Sequence, residues 1–320
     1  MKFKDFFQKI PGSIYIFILI MIIGTLITPY FLTFSNFSKI IYQSAILLMI
    51  ATGSTLVITT GEIDLSLGAV LSLSSMITAL VMEKGISFLT ASFCGLLTGL
   101  ICGGINAFFI VKAKVPSYIS TFGLMNMATG LALGLRSGAT IRGLDERFSK
   151  IIGGNLGPIP VVVIISTFCF LIVAVLFHYG KLGTYLCAIG SDRDGAGYAG
   201  INVDLYRGLP FIISGLLAGI AGVVFSARLN LGHPTGGVGY EFEAIAATIV
   251  GGNAMEGGRS SMVNTLLGVG VLSILKNSLT MLGYPIWWQM AISGVVLILA
   301  LIVPNLLKIY QLYKESMKEI

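Results

Sequence analysis

Glu62 and Asp64 stand two residues apart in the run Thr59-Thr60-Gly61-Glu62-Ile63-Asp64-Leu65-Ser66-Leu67-Gly68, between two apolar stretches with almost no loop to separate them. Two carboxylates at the boundary of an apolar slab are expensive unless they are solvated, paired or used as caps. Asp64 has the chemistry of an N-cap, accepting a bond from the free amides of a following first turn. Asp64 and Ser66 also suit a polar break lining a solute pathway, and the two readings are compatible. A second run, Gly239 to Gly252, places Tyr240, Glu241 and Glu243 at the start of a short apolar segment and the pair Gly251-Gly252 at its end. That is the pattern of a capped helix with about half the length a bilayer requires. Half-length helices at membrane depth occur where protein shields the backbone or where it lines a cavity, which makes these five residues further pathway or gate candidates. The third run, residues 188–203, contains Asp192, Arg193, Asp194 and Tyr198 among small residues and closes on Gly200-Ile201-Asn202. Asp192 or Ser191 suits the cap of a helix beginning at Arg193, Tyr198 an aromatic interface anchor, and Gly200 a left-handed C-terminal cap. Lys276 lies inside a long apolar stretch, where a lysine snorkels, pairs with an acid or couples to an ion.

Catalysis finds no such constellation. Gly180-Lys181 is followed by Leu182, and Val175 stands where a phosphate-binding loop would begin with glycine, so the chain should not bind ATP by itself. His178 and His233 are far apart in sequence and have no carboxylate at ligand spacing. Cys94, Cys102, Cys169 and Cys187 sit in or beside apolar runs without a Cys-x-x-Cys pair, and read as small buried hydrophobes.

The elements that must position these residues follow from composition. Only 11% of the 320 residues are charged, against about 25% in a soluble domain, while 55% are hydrophobic. With a mean hydropathy of +0.92, this excludes a cytosolic enzyme, a disordered chain, a coiled coil and a disulfide scaffold. It leaves an all-α polytopic membrane protein. Apolar spans are expected at 12–32, 40–60, 66–82, 87–111, 115–135, 160–179, 208–227, 260–281 and 287–305, with a tenth, short or broken, at 242–252. The first is too long for a signal peptide and lacks a small-residue cleavage site, so it is expected to be retained. With ten crossings, twelve Lys and Arg fall on the side of the termini and seven on the other. That bias puts both termini in the cytoplasm, and the scatter of the basic residues argues against nucleic acid as a partner. The chain then reads as one transmembrane domain, 1–320, with cytoplasmic ends at 1–11 and 306–320, an external loop at 136–159 and a cytoplasmic loop at 180–207. Gly95, Gly99 and Gly103 in one span, and Gly215, Gly219 and Gly222 in another, have the spacing that lets helix backbones approach closely.

At these motifs the sequence resembles the permease subunit of the ribose-type monosaccharide ABC importers, the class that also includes xylose, galactose and autoinducer-2 systems. The resemblance covers nearly the whole chain and is carried by Glu62-Ile63-Asp64-Leu65-Ser66, Leu182-Gly183-Thr184-Tyr185, Gly200-Ile201-Asn202-Val203 and the block Pro234 to Gly258. Glu62 departs from the family, standing where many members have glycine. Gly190-Ser191-Asp192 departs as well, where members often read Gly-Gly-Asn. The resemblance implies a fold similar to the vitamin B12 importer permease, in a bacterial cytoplasmic membrane. It also implies a homodimer, or a heterodimer with a similar permease, docked on ATP-hydrolysing subunits that hold ATP and Mg, with an external binding protein delivering the sugar. The chain itself would need no cofactor. The segment with Ala188, Gly190, Asp192, Tyr198, Gly200, Ile201 and Asn202 would couple to the ATPase. Because two glycines destabilise a helix interior, that helix is expected to form only on its partner.

Three other classes compete. An ion-coupled secondary transporter would place charges mid-span on two related broken helices, and Lys276 is the one candidate for that. A channel or receptor gives no reason for a 28-residue inner loop with a helical pattern, and an intramembrane enzyme lacks a nucleophile and base.

Overall fold

The computed structural model describes residues 12–27 and 30–285, together with 287–289, 291, 292, 294, 295, 298, 299 and 302. Helices occupy Gly12–Ile27 (α1), Phe34–Thr59 (α2), Leu67–Glu83 (α3), Phe88–Val111 (α4), Ser117–Gly134 (α5), Glu146–Ile151 (α6), Val161–His178 (α7), Lys181–Ser191 (α8), Arg193–Tyr198 (α9), Val203–Leu229 (α10), Tyr240–Val250 (α11) and Met262–Met281 (α12). Five of these, α2, α4, α7, α10 and α12, are long and apolar enough to cross a membrane. The expected span at 287–305 lies partly, and the chain ends at 1–11 and 306–320 wholly, outside the described residues.

Local chemistry sets the boundaries. Thr33 caps α2 by accepting from the Asn36 amide at 3.3 Å, and Ser87 caps α4 through the Thr90 amide at 3.4 Å. Pro116 and Pro160 precede α5 and α7, where a missing N–H is harmless. The all-α expectation needs a small amendment, since Ile141–Arg142 (β1) pairs antiparallel with Leu231–Gly232 (β4), and Asn155–Leu156 (β2) with Ile159–Pro160 (β3). Each pairing satisfies backbone groups in a loop that has no helix to do so. α10 also starts at Val203, not at 208, because the Asn202 side chain accepts from the Leu205 amide at 3.1 Å and caps it there.

α4 and α10 cross at the centre of the bundle through their glycines. A Cβ on Gly99 would overlap the Gly215 carbonyl oxygen, one on Gly103 the Phe211 carbonyl, and one on Gly222 the Leu71 carbonyl of α3. The Ser74 hydroxyl of α3 lies 2.9 Å from the Gly95 carbonyl and 2.8 Å from that of Gly219, joining the three helices where hydrocarbon offers no other polar partner. Gly215→Val is therefore expected to lower the thermal midpoint in detergent by about 5–10 °C, as backbone cannot move aside for the added methyls. Gly123→Val on α5, where a Cβ meets nothing within 4 Å, supplies the control. Equal midpoints for the two variants would show that the crossing is not close-packed.

The connections gather at two ends. Residues 60–66, 112–116, 179–202 and 251–261 share one, the near end: Gly258 N–H donates to the Thr59 carbonyl at 3.0 Å, Lys112 pairs with Asp204 at 3.3 Å, and Met262 N–H donates to His178 Nε2 at 3.3 Å. Residues 84–87, 135–160 and 230–235 share the far end, tied by the β1–β4 pair and by an Arg136–Glu83 ion pair.

Candidate functional site

α2 is 26 residues long and α3 only 17, so at 1.5 Å per residue they differ by about 13 Å, and residues 60–66 make up the difference as a non-helical break. Asp64 is buried in this break, accepting from the Ser66 amide at 2.9 Å, the Ser66 hydroxyl at 2.6 Å and the Ser214 hydroxyl of α10 at 3.1 Å. Asn106 of α4 donates to Ser66 Oγ at 3.0 Å and accepts from Ser120 of α5 at 3.2 Å. The expected N-cap role shifts by two positions. Ser66 is the residue before the helix, and Asp64 holds Ser66 in place without reaching the first-turn amides. The carboxylate thus joins the start of α3 to α10 directly, and α4 and α5 are linked to it through Ser66 and Asn106.

The second run is a helix of 11 residues, α11, about 16 Å long, buried from Ala244 to Ile249 but with Phe242 exposed at its start. Its approach, residues 231–239, descends along α3: His233 N–H donates to Ser75 Oγ at 3.3 Å and Gly237 N–H to Ser72 Oγ at 2.8 Å. Glu241 is buried at its start, with Oε1 accepting from the Gly239 amide at 3.1 Å and Oε2 pressed against Gly68, without a hydrogen-bond partner among the described residues. The Thr55 hydroxyl lies 3.1 Å from Thr248 and 2.7 Å from Thr265, which joins α2, α11 and α12. Gly251 packs on the Asn264 carbonyl, and Gly252, at φ +103°, turns the chain away. Glu243 points elsewhere, its Oε1 bonded to Lys276 Nζ at 2.5 Å, so Lys276 is paired.

At the near end, α8 and α9 form a bent pair. Asp192 is extended between them and accepts from the Asp194 and Gly195 amides, both at 3.1 Å, so it is the cap of α9. Gly200, at φ +80°, ends α9, and Ile201 N–H returns to the Ala196 carbonyl at 3.1 Å. Both ends being satisfied, the helix forms within the single chain, contrary to the expectation that it needs a partner. Ile189 is buried, and Gly190 lies so close to the Thr59 carbonyl and the Gly258 amide that a Cβ would overlap both. Tyr198, by contrast, is 93% exposed.

Glu62 connects this pair to the break. Its Oε1 accepts from Arg207 Nε at 2.9 Å, Arg207 Nη2 at 2.6 Å and Arg193 Nη2 at 3.0 Å.

A family model described as the branched-chain amino acid transport system / permease component matches residues 36–301. The ribose import permease protein RbsC of Escherichia coli (strain K12) is 34% identical over 307 residues, covering 94% of this chain and 95% of the relative. RbsC of Bacillus subtilis (strain 168) is 36% identical over 303 residues, covering 94% of each. The chain belongs to this family of import permeases. The D-allose transport system permease protein AlsC of Escherichia coli (strain K12) is 33% identical over 307 residues, covering 96% of this chain and 94% of the relative. No solved structure matches.

Within the permease, the residues singled out for a pathway separate into two groups. Asp64, Ser66 and Glu241 are buried where helices are broken, while Tyr240 and Glu243 line open clefts. The coupling residues also separate. Gly190 packs inward beside buried Ile189, Ala188 and Ile201 are half-buried, Asp192 caps α9 and Asn202 caps α10, and Tyr198 and Gly200 face out. The Glu62–Arg207–Arg193 cluster and the Asn106 and Ser214 contacts to the break were not anticipated. Asn106 and Ser214 were visible as lone polar residues in apolar spans, and Glu62, Arg193 and Arg207 as charges in polar connections, without anything local to pair them.

Proposed function

We propose that this permease is the membrane-spanning subunit of an ATP-driven importer. It would pass a monosaccharide handed over by an external binding protein, with ATP and Mg held by partner subunits. One observation carries the proposal: a short capped helix, α9, exposes a tyrosine at the near end and is joined through Arg193 and Glu62 to the break in the membrane helices. That is the mechanical link an importer needs between a soluble motor and its membrane path. The sugar class follows the relatives' ribose and allose, although the family description names amino acids. The near end is the cytoplasmic side, ten crossings put both termini there, and the fold is that of the vitamin B12 importer permease, assembled as a dimer. Reconstitution with the ATPase and binding protein tests the reading. Sugar uptake should require ATP hydrolysis, and uptake driven by an ion gradient alone would favour a secondary transporter.

The topology has its own test. Ser137, exposed at the far end, should label as cysteine from outside intact cells, and Ser191 only after permeabilisation. Ser149, half-buried and donating to Asn230 at 2.9 Å, should label from outside but more slowly. Burial pushes the native Cys187 thiol upward, so it contributes little background. Labelling of Ser191→Cys from outside would reverse the orientation.

A further inference from the structure

We propose that the cavity framed by Gln43, Arg228, Tyr240, Glu243, Lys276 and Gln289 is a binding station for an uncharged polyhydroxylated solute, a single sugar ring. The proposal rests on the importer reading above and gives that reading a place in the fold. The cavity, of about 220 Å³, lies between α2, the outer turn of α10, the start of α11 and the far half of α12. It shares Tyr240, Glu243, Lys276 and Gln289 with a second cleft of about 580 Å³, whose remaining wall is largely apolar, with Phe225, Val238 and Leu272 among its side chains.

The chemistry of the wall selects the ligand. Lys276 and Glu243 cancel each other's charge, and their side chains are 33% and 17% exposed, so the pair faces the cavity without being drowned by solvent. Lys276 has three N–H donors and gives one to Glu243, and a carboxylate accepts several bonds, so the pair offers both donors and acceptors while it stays neutral overall. Arg228 is held back against α2, its guanidinium 4.3 Å from the Tyr42 ring centroid and donating to the Tyr42 carbonyl at 3.5 Å. Gln43 adds an amide group that is both donor and acceptor, while Gln289 closes the wall, its amide held by bonds to Thr280 Oγ1 at 3.2 Å and the Tyr284 carbonyl at 3.0 Å. Planar side chains that present paired donors and acceptors match neighbouring hydroxyls of a sugar, and the Tyr240 ring gives an apolar surface for the C–H face. A lipid tail would gain nothing from so polar a wall, and a free cation would have to displace Lys276 from Glu243. The cavity stands on the far-end side of the buried Asp64 and Glu241, before the breaks that would have to open.

The alternative role of the ion pair is purely structural, and the test separates the two. Replacing a buried pair by apolar residues of similar volume is often neutral or stabilising. Lys276→Met/Glu243→Leu should then keep transport if the pair only packs. The complete complex of permease, ATPase and binding protein is reconstituted, and uptake of radiolabelled D-ribose, D-xylose and D-allose is followed together with ATP hydrolysis. For the sugar carried by the wild type, the double variant is expected to lose uptake by about fivefold or more, with binding-protein-stimulated hydrolysis within about twofold of normal. Thr280→Trp, which fills the exposed rim and leaves the pair intact, should lose uptake by a similar factor. Uptake within about twofold of wild type in Thr280→Trp overturns the proposal, and remains decisive even where the double variant is lost from the membrane. Wild-type uptake of leucine and of no sugar would overturn the solute class, and with it the importer reading. A defect confined to the variants supports the station alone.

Discussion

Glu62→Ala is expected to reduce ATP-driven uptake by about twentyfold or more, because the variant leaves a guanidinium inside the protein with no anion to face. Glu62 and Arg207 have side chains only 6% and 16% exposed, and three N–H groups converge on one carboxylate oxygen. Removing one partner of such a buried pair costs about 3–5 kcal/mol, most of it from the charge left behind. That free energy falls where three parts of the permease meet: the break after α2, the start of α9 and the first turns of α10. ATP hydrolysis should persist, since nothing in the ATPase has changed, while its motion no longer reaches the break. Glu62→Gln retains an acceptor but no charge and should fall between the two. Uptake and hydrolysis measured on the same proteoliposomes decide the matter. If Glu62→Ala transports within about twofold of wild type, the cluster is not part of the coupling route. A proportional fall in hydrolysis and uptake would instead point to loss of the ATPase from the complex.

What could be read from the chain beforehand divides by distance along it. Apolar stretches of helical length mark α2, α4, α7, α10 and α12, because a span needs a run of neighbours and nothing else. The glycines of α4 and α10 were legible for the same reason, their spacing placing them on one side of each helix. The ends of α9 were legible too, since an aspartate reaching amides two and three residues on, and a glycine in the left-handed region, are local events. Asp64 shows the limit of local reasoning. A short acid before a helix suggests a cap, yet the Ser214 and Ser66 hydroxyls and the break draw it two residues back into the bundle. Glu62 with Arg207, 145 residues apart, could not be paired from spacing, nor could Lys276 with Glu243, 33 apart. Such pairs depend on which segments become neighbours, the break against α10 in one case and α11 against α12 in the other, and no local spacing encodes that.

Tyr198→Ala should have the larger effect on assembly, and its logic is the reverse of Glu62. Here nothing inside the chain would change. The ring is 93% exposed and alanine is the better helix former, so α9 keeps its Asp192 cap and its Gly200 turn. What is lost is an aromatic surface that the single chain leaves in water, beside buried Ala196 and on an element tied to the membrane break by Arg193. Aromatic anchors at interface centres typically cost about 2–4 kcal/mol on truncation, which is roughly 30- to 1,000-fold in affinity. The expected result is that the ATPase subunits are lost during purification and uptake falls to background, with insertion and yield of the permease unchanged. Gly200→Val reaches the same end differently. At φ +80° a β-branched residue is strained, so the last turn of α9 opens and Tyr198 is displaced instead of removed. Circular dichroism of the purified variants should therefore match wild type, because at most one six-residue helix is disturbed. Co-purification of the ATPase with full uptake in both variants would show that α9 is not the surface the motor grips. In that case the contact would have to be sought on the neighbouring near-end segment, residues 251–261.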